Sequence, residues 1–320
     1  MPVKIGFVGS GGIANHHMRT LAQIEAAQMT AFCDVVEEKA QAAAQTYGGK
    51  AYTDYTAMYD SEDLDAVYIC VPPFAHDTQE LAALARGLPI FVEKPVALTL
   101  AKAEEILAAV EAKSVVTAVG YHWRYTQASD RARQLIGDRP IGFALGSWMG
   151  GMPVVPWWRV MDQSGGQMVE QTTHIFDTAR YFLGPVTQVH CSARTGLMGD
   201  VEQYDIHDAS ITNLTFASGA IASITSACII QSGGHVGLDL YLKDQVLRLN
   251  RTELIVDDSQ GSQTFAPGDN PTLREDTAFV EAVASGDGSA IRSDYADAVA
   301  TLKVSLAANQ SIIEGRPINL

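Results

Sequence analysis

The run VKIGFVGSGGIA at residues 3–14 constrains the chain more than any other feature. A β-branched stretch leads directly into Gly9, Gly11 and Ala14 and then into a helical pattern, which is the G-x-G-x-x-G/A arrangement of a dinucleotide-binding turn. Gly9 allows the tight turn, Gly11 lets a pyrophosphate reach the backbone, and Ala14 permits close packing of helix on strand. The helix N-terminus adds unpaired N–H groups and a partial positive charge. Gly12 and Ile13 complete the cofactor-facing loop. Asp34 ends the second expected strand, 25 residues after Gly9. There a carboxylate bonds the ribose hydroxyls and repels a 2′-phosphate, which favours NAD over NADP; a cap for the helix beginning EEKAQ is the competing use of this side chain.

The first third of the chain alternates apolar runs with helical patterns. Strands are expected at 3–9, 29–34, 65–72, 89–95 and 115–121, because near-continuous β-branched and aromatic runs are how buried parallel strands read. Between them, Ala-, Leu-, Glu- and Gln-rich segments predict helices, two of them stopped by Gly48 and Gly87. That alternation implies a doubly wound parallel (Rossmann) sheet, hence an α/β fold. Beyond about residue 122 the rhythm changes to strands joined by short turns such as Ser218-Gly219 and Lys243-Asp244, with helices at about 127–136, 166–183, 271–285 and 292–314. An α+β second domain with an antiparallel or mixed sheet follows. The expected domains are 1–122 and 123–320, with loops at 196–205 and 257–270.

Composition narrows the functional classes. A chain of 320 residues accommodates two domains, and 47% hydrophobic against 18% charged residues excludes disorder as the main state. Lys+Arg 22 against Asp+Glu 37 leaves a net charge of −15, so nucleic acid and anionic membrane are poor partners. Cys33, Cys70, Cys191 and Cys228 form no CxxC pair, and buried free thiols are expected. No signal-peptide pattern follows Met1 and no apolar run reaches the roughly 18 residues that cross a bilayer. The expected location is cytoplasmic. No His or Cys spacing calls for a metal, and the adjacent His16 and His17 read as surface residues.

Several ordered motifs carry a resemblance over nearly the whole chain: GFVGSGGIA, the Asp34 strand end, VPPFAH at 71–76, EKP at 93–95, GYHWRY at 120–125 and GGQMVEQTTHIFDTARYFLG at 165–184. The sequence resembles the glucose-fructose oxidoreductase, inositol dehydrogenase and MocA family of NAD(P)-dependent oxidoreductases. The resemblance implies an N-terminal Rossmann domain, a C-terminal domain with a large open-faced sheet, and an active site in the cleft between them. It makes Lys94 catalytic, near the substrate oxygen and the nicotinamide. A lysine at the carboxyl end of a sheet strand is also where an ammonium can polarise a carbonyl or stabilise an alkoxide. Pro95 follows it, and a cis Lys94-Pro95 bond is compatible with the pair. Pro73, His76 and Glu93 join Lys94 on the cofactor side, although Glu93 serves equally as a local structural carboxylate.

At 100° per residue on a continuous 166–183 helix, Glu170, His174, Asp177 and Tyr181 share a stripe opposite Met168, Ile175, Phe176, Ala179, Phe182 and Leu183. Periodicity alone favours a solvated face. The family's D-x-G-x-H pattern turns that stripe into chemistry: Glu170 stands for the aspartate, Thr172 for the glycine, and His174 is the proton-transfer group. An imidazole titrating near neutrality suits that role. Asp177, Arg124, Tyr121, His122, Trp158 and Arg159 are the substrate-side candidates; Trp157 and Trp158 beside Arg159 suit a sugar ring if exposed and core packing if not.

These residues point to an NAD-dependent oxidoreductase acting on a secondary alcohol or ketone of a sugar or cyclic polyol. An NAD-dependent glycoside hydrolase and a non-catalytic dinucleotide-sensing regulator, roles that relatives fill, are the alternatives; retention of Lys94, Glu170 and His174 argues against a sensor. In HVGLDLYL, Val236, Leu238, Leu240 and Leu242 alternate with a mixed face. The resemblance assigns that mixed face to a homodimer or homotetramer.

Overall fold

In the computed structural model, which describes residues 1–250, 253–266, 268 and 270–320, the apolar runs of the first third form one parallel sheet. The order is β1 (Val3–Val8), α1 (Gly12–Leu21), β2 (Ala27–Cys33), α2 (Glu37–Tyr47), β3 (Lys50–Tyr52), α3 (Tyr55–Ser61), β4 (Ala66–Ile69), α4 (Gln79–Ala85), β5 (Ile90–Val92), α5 (Leu100–Lys113) and β6 (Thr117–Val119). The strands lie in the order β3-β2-β1-β4-β5-β6, and every pairing is parallel. Strand order reverses between β1 and β4, so the switch point where such sheets take ligands lies at their carboxyl ends. Phe7, Tyr68 and Phe91 are fully buried and stack in sequence, with ring centroids 5.0 and 4.5 Å apart. β3 and α3 go beyond the expected elements. β3 is only three residues long and at most half-buried, so no apolar run announces it.

The chain continues through α6 (Gln127–Ile136), β7 (Phe143–Met149), α7 (Met161–Ser164), α8 (Gln167–Glu170), α9 (Thr173–Leu183), β8 (Val186–Arg194), β9 (Ala209–Phe216), β10 (Ile221–Ala227), β11 (His235–Tyr241), β12 (Gln245–Asn250), β13 (Leu254–Asp258), β14 (Gly261–Phe265), α10 (Pro271–Ser285), α11 (Tyr295–Glu314) and β15 (Ile318–Asn319). Nine strands make a mixed sheet in the order β14-β13-β12-β11-β7-β10-β9-β8-β15, with β7 and β10 parallel and the other pairs antiparallel. One face is apolar and buried: Leu238, Leu240, Leu247 and Leu254 are fully covered and belong to the same core as Ile175 and Phe176 of α9. On the other face the register aligns Phe143 with Ile221 and Tyr241, and Phe143, Leu145, Ile211 and Ile221 are each 40–57% exposed.

Three expectations are corrected. The loop at 257–270 contains a hairpin, β13 pairing with β14 from Leu254↔Phe265 to Asp258↔Gly261. GSQTF is polar because it lies at a sheet edge, where backbone ladder bonds and not side-chain burial hold it. Pro267 and Asp269 of that expected loop lie outside the described residues. The helix at 166–183 is two helices: the N–H of Thr172 bonds back to the carbonyl of Gln167, five residues away, and Thr172 leaves the helical run to bond Ser226 Oγ at 2.7 Å. The chain also divides into two compact units, Met1–His122 with Asn270–Val299 and Trp123–Asp269 with Ala300–Leu320. Residues 270–299 therefore stand apart from the rest of 123–320, because Asp276 of α10 is tied to His17 and Thr20 of α1.

Candidate functional sites

In the first unit the glycine turn is shaped by two different requirements. Gly9 has φ +91, and a Cβ there would sit 2.4 Å from the Cys70 carbonyl oxygen, so the approach of β1 to β4 itself demands glycine. Gly11 and Gly12 are different: a Cβ at either would meet no atom within 4 Å. Their smallness serves nothing in the protein and leaves a cradle at the start of α1. Gly11 caps that helix without a side-chain bond, so its first N–H groups face the cradle. Ile13 is exposed beside it and Ala14 is fully buried. The Ser10 hydroxyl oxygen is buried with no hydrogen-bond partner. Asp34 accepts the Ser10 N–H at 2.8 Å and the Val36 N–H at 2.9 Å. The cap residue of α2 is Val36, so Asp34 is not the helix cap. This donor set and open cradle fit a dinucleotide: the α1 N-terminus for its pyrophosphate and Asp34 for a ribose.

Lys94 follows β5 and is half-buried; its bond to Pro95 is cis. Glu93 is buried, and its Oε2 accepts the Lys94 N–H at 3.1 Å. Pro73 and His76 are buried, and His76 Nδ1 meets Glu80 Oε1 at 2.5 Å, leaving Nε2 buried without a hydrogen-bond partner. Tyr121 is buried and His122 half-buried. The surface assignment of His17 is overturned: it is 1% exposed and lies between two carboxylates, Asp276 Oδ1 at 2.7 Å from Nδ1 and Glu93 Oε1 at 3.0 Å from Nε2. Burial alone would push this imidazole down; the charge and hydrogen bond of Asp276, then those of Glu93, outweigh it and hold His17 well above its ordinary value. Burial likewise opposes ionisation of Glu93, yet the His17 bond and charge, with Lys94 and His122, keep its carboxyl below the usual range.

In the second unit the break before α9 separates Glu170 from the helix carrying His174, so the expected continuous stripe does not exist. Glu170 accepts the indole N–H of Trp158 at 2.6 Å. Trp158 is itself 1% exposed and packs with Ile206 and Cys228, so its ring belongs to a core; Trp157 and Arg159 are half-buried. A cavity of about 480 Å³ opens beside this turn, lined in part by Val160, Gln163, Tyr204 and Asp205. His174 is 5% exposed, and its ring stacks on Trp148 with centroids 5.5 Å apart. Asp177 is fully buried and takes a bidentate pair from Arg124, at 2.7 and 2.6 Å, plus the Thr301 hydroxyl at 2.9 Å. A solvated face is thereby excluded for His174 and Asp177. The four cysteines are buried and free.

The fold and these residues define an oxidoreductase of the two-domain, dinucleotide-binding kind. The sequence matches the family described as "Oxidoreductase family, NAD-binding Rossmann fold" over residues 3–121 and the "GFO/IDH/MocA C-terminal domain" over 130–248. The chain belongs to the GFO/IDH/MocA family of oxidoreductases. It is 25% identical to a myo-inositol 2-dehydrogenase of Thermotoga maritima, across 99% of this chain and 98% of that protein. It is 27% identical to an inositol 2-dehydrogenase of Rhizobium meliloti, across the full length of both. Levoglucosan dehydrogenase in complex with NADH and levoglucosan has the same fold, with TM-score 0.90 and 21% identity, over 100% of this chain and 99% of that one.

The two glycines give separable expectations. Gly9→Ala loses about 1–3 kcal/mol of stability from the backbone conformation alone, with the Cys70 clash in addition. Gly11→Ala folds normally but binds dinucleotide about 10-fold or more weakly, because its methyl group enters only the cradle. Urea unfolding and NADH titration of both variants measure this; unchanged NADH affinity in Gly11→Ala removes the pyrophosphate from that position.

Proposed function

We propose that this oxidoreductase oxidises a secondary alcohol of a sugar or cyclic polyol with NAD, and reduces the corresponding ketone. The observation that carries the cofactor half is the uncapped N-terminus of α1 opening on Gly11 and Gly12, with Asp34 held beside it. The substrate half is supported by the names of the inositol dehydrogenases that this chain resembles end to end. When bound, NAD supplies the hydride acceptor. Lys94 holds and polarises the reacting oxygen, and His174 accepts the alcohol proton and returns it in reduction. Glu170, set by Trp158, orients the proton-transfer group. Arg159, Tyr121 and His122 contact substrate. Arg124 and Asp177 act together, as a pair that shapes the α9 side of the site. Pro73 and His76 face the cofactor with Gly9, Gly11, Gly12 and Ile13. Four buried thiols suit a reducing cytoplasm.

The test is a screen for NADH formation, starting with myo-inositol and extending to other inositols, aldoses and anhydrosugars. Rapid NADH formation with one of them supports the reading; NAD binding without turnover of any polyol or sugar overturns the substrate class. Cofactor choice has its own expectation. Because a 2′-phosphate would meet the Asp34 carboxylate, NAD binds about 10-fold or more tightly than NADP, and Asp34→Ala narrows that gap. Comparing the two dissociation constants in both proteins decides it, and tighter binding of NADP by the native chain reverses the assignment.

Assembly is the other part of the reading. Phe143, Leu145, Ile211 and Ile221 lie on one face of the mixed sheet, with Tyr241 stacked on Phe143 at 4.2 Å between centroids. Broad exposed apolar patches of this kind serve self-association, and a second copy laid on this face gives a homodimer or homotetramer. Light scattering at micromolar concentration is expected to report a dimer or larger, and Ile221→Lys to shift it toward monomer. A native monomer rejects this.

A further inference from the structure

The His17 cluster lies inside the first unit and reaches Lys94 through Glu93, and none of the roles assigned above uses His17 or Asp276. Five observations converge on the cluster. His17 is buried on α1 and touches Asp276 and Glu93 through its two ring nitrogens, at 2.7 and 3.0 Å. Asp276 is saturated from its other sides: Tyr68 donates to Oδ1 at 3.2 Å and Thr20 donates to Oδ2. Glu93 turns its remaining oxygen to the backbone N–H of Lys94 at 3.1 Å. Gly120 gives the carboxylate its berth, since a Cβ there would lie 2.5 Å from Glu93 Oε1. Rings of Phe91 and Tyr68 pack against the imidazole at 4.9 and 5.5 Å between centroids, so its plane is fixed.

We propose that His17 is a positioning residue for Lys94: its imidazolium donates to Asp276 and Glu93, and Glu93 so held fixes the backbone that presents the lysine. The proton inventory supports this. An ionised carboxylate can only accept, so with Asp276 and Glu93 both ionised each ring nitrogen must carry a proton for both contacts to be hydrogen bonds. Each contact alone has a bland account as a buried ion pair. Their arrangement in series from the fully buried Asp276 and His17 to the part-buried Lys94 N–H transmits the orientation of α10 and α1 to the end of β5. The proposal rests on the reading of Lys94 as the residue that holds the reacting oxygen.

The test needs no substrate. A long-range 1H–15N spectrum of the imidazoles is expected to show His17 protonated at both nitrogens at neutral pH and above, where an ordinary histidine has lost its proton. The groups that face it are Asp276, Glu93, Tyr68 and Thr20, with His16 adjacent on α1. Reductive methylation read by mass spectrometry of the peptide carrying Lys94 then reports on the lysine. In His17→Gln and in Glu93→Gln the Lys94 rate, relative to the other lysines, is expected to rise about 3-fold or more as its backbone is released.

A charge-balancing role alone would lower stability in His17→Gln without moving that rate. Rescue separates the two: in His17→Gln with Asp276→Asn, the introduced glutamine amide can donate to Glu93 while its carbonyl accepts from the introduced asparagine. The Lys94 rate returns to within about 1.5-fold of native. A Lys94 rate unchanged in both folded single variants, or a native His17 with one bare ring nitrogen at neutral pH, overturns the proposal. NADH titration of the native protein is run in parallel. Its failure would remove the cofactor reading while leaving the His17 and Lys94 readouts intact.

Discussion

His174→Ala is expected to lower the turnover of alcohol oxidation by about 100-fold or more while NAD affinity stays within about 2-fold of native, because general acid–base catalysis contributes about 10² to 10⁴ and the residue lies in the other unit from the dinucleotide turn. The His174 ring is held flat against Trp148 and almost completely buried, so its orientation is set by packing before any substrate arrives. Oxidation needs the ring unprotonated to receive a proton. The native rate therefore falls on the acidic side, and that limb disappears from the residual rate of the variant. Lys94→Met is expected to behave differently: in the role proposed for it, a group that grips the reacting oxygen acts in both the bound state and the transition state, so substrate binding and turnover fall together. The measurement is kcat and kcat/KM across pH for both variants on the substrate found by NADH formation. Near-native turnover in His174→Ala would move the proton-transfer role to Lys94 or Glu170.

How much of this is legible in the sequence depends on whether a residue's partner is local. The parallel sheet reads directly, because its strands are buried on both faces and show as unbroken apolar runs such as the one containing Ile5 and Phe7. The mixed sheet reads through alternation, as Leu238 and Leu240 illustrate. Strand β14 does not, because an edge strand is specified by its partner's ladder and GSQTF carries no pattern of its own. The helix break at Thr172 escapes a periodicity argument that assumes continuity in advance. Its cause is a tertiary bond to Ser226, 54 residues away.

His17 is the instructive miss. With Ala14, Met18 and Leu21 it occupies positions i, i+3, i+4 and i+7 of the α1 pattern, so the apolar face of the helix already includes it. Only the identity of its partners, 76 and 259 residues away, is out of reach. The site residues divide the same way. Gly9, Gly11 and Asp34 are found from their spacing after a strand, although Gly9 is also required by the Cys70 carbonyl and Asp34 holds the Ser10 N–H 24 residues away. Trp158 and Asp177 look like exposed or substrate-facing groups in the sequence because neither the indole bond to Glu170 nor the ion pair to Arg124 has a local signature.

Asp177→Asn is for that reason expected to act first on folding. The carboxylate is fully buried, holds the guanidinium of Arg124 through two charge-assisted bonds and accepts the Thr301 hydroxyl, while Arg124 is also stacked 5.1 Å from the Tyr181 ring centroid. Substituting asparagine turns a neutral amide toward a buried cation, and one of its two polar atoms is a donor facing other donors. Removing one partner of a buried pair in this way costs about 3–5 kcal/mol. Replacing both charges is milder: Asp177→Asn combined with Arg124→Met leaves no buried ion to solvate, and recovers at least about 1 kcal/mol of the single-variant loss. Urea unfolding of the native protein, both single variants and the double variant measures the cycle. If Asp177 instead binds substrate directly, Asp177→Asn raises KM with a stability loss below about 1 kcal/mol. That outcome would break the assignment of Asp177 to the Arg124 pair, since a carboxylate whose oxygens are both engaged inside the protein cannot be removed without unfolding cost.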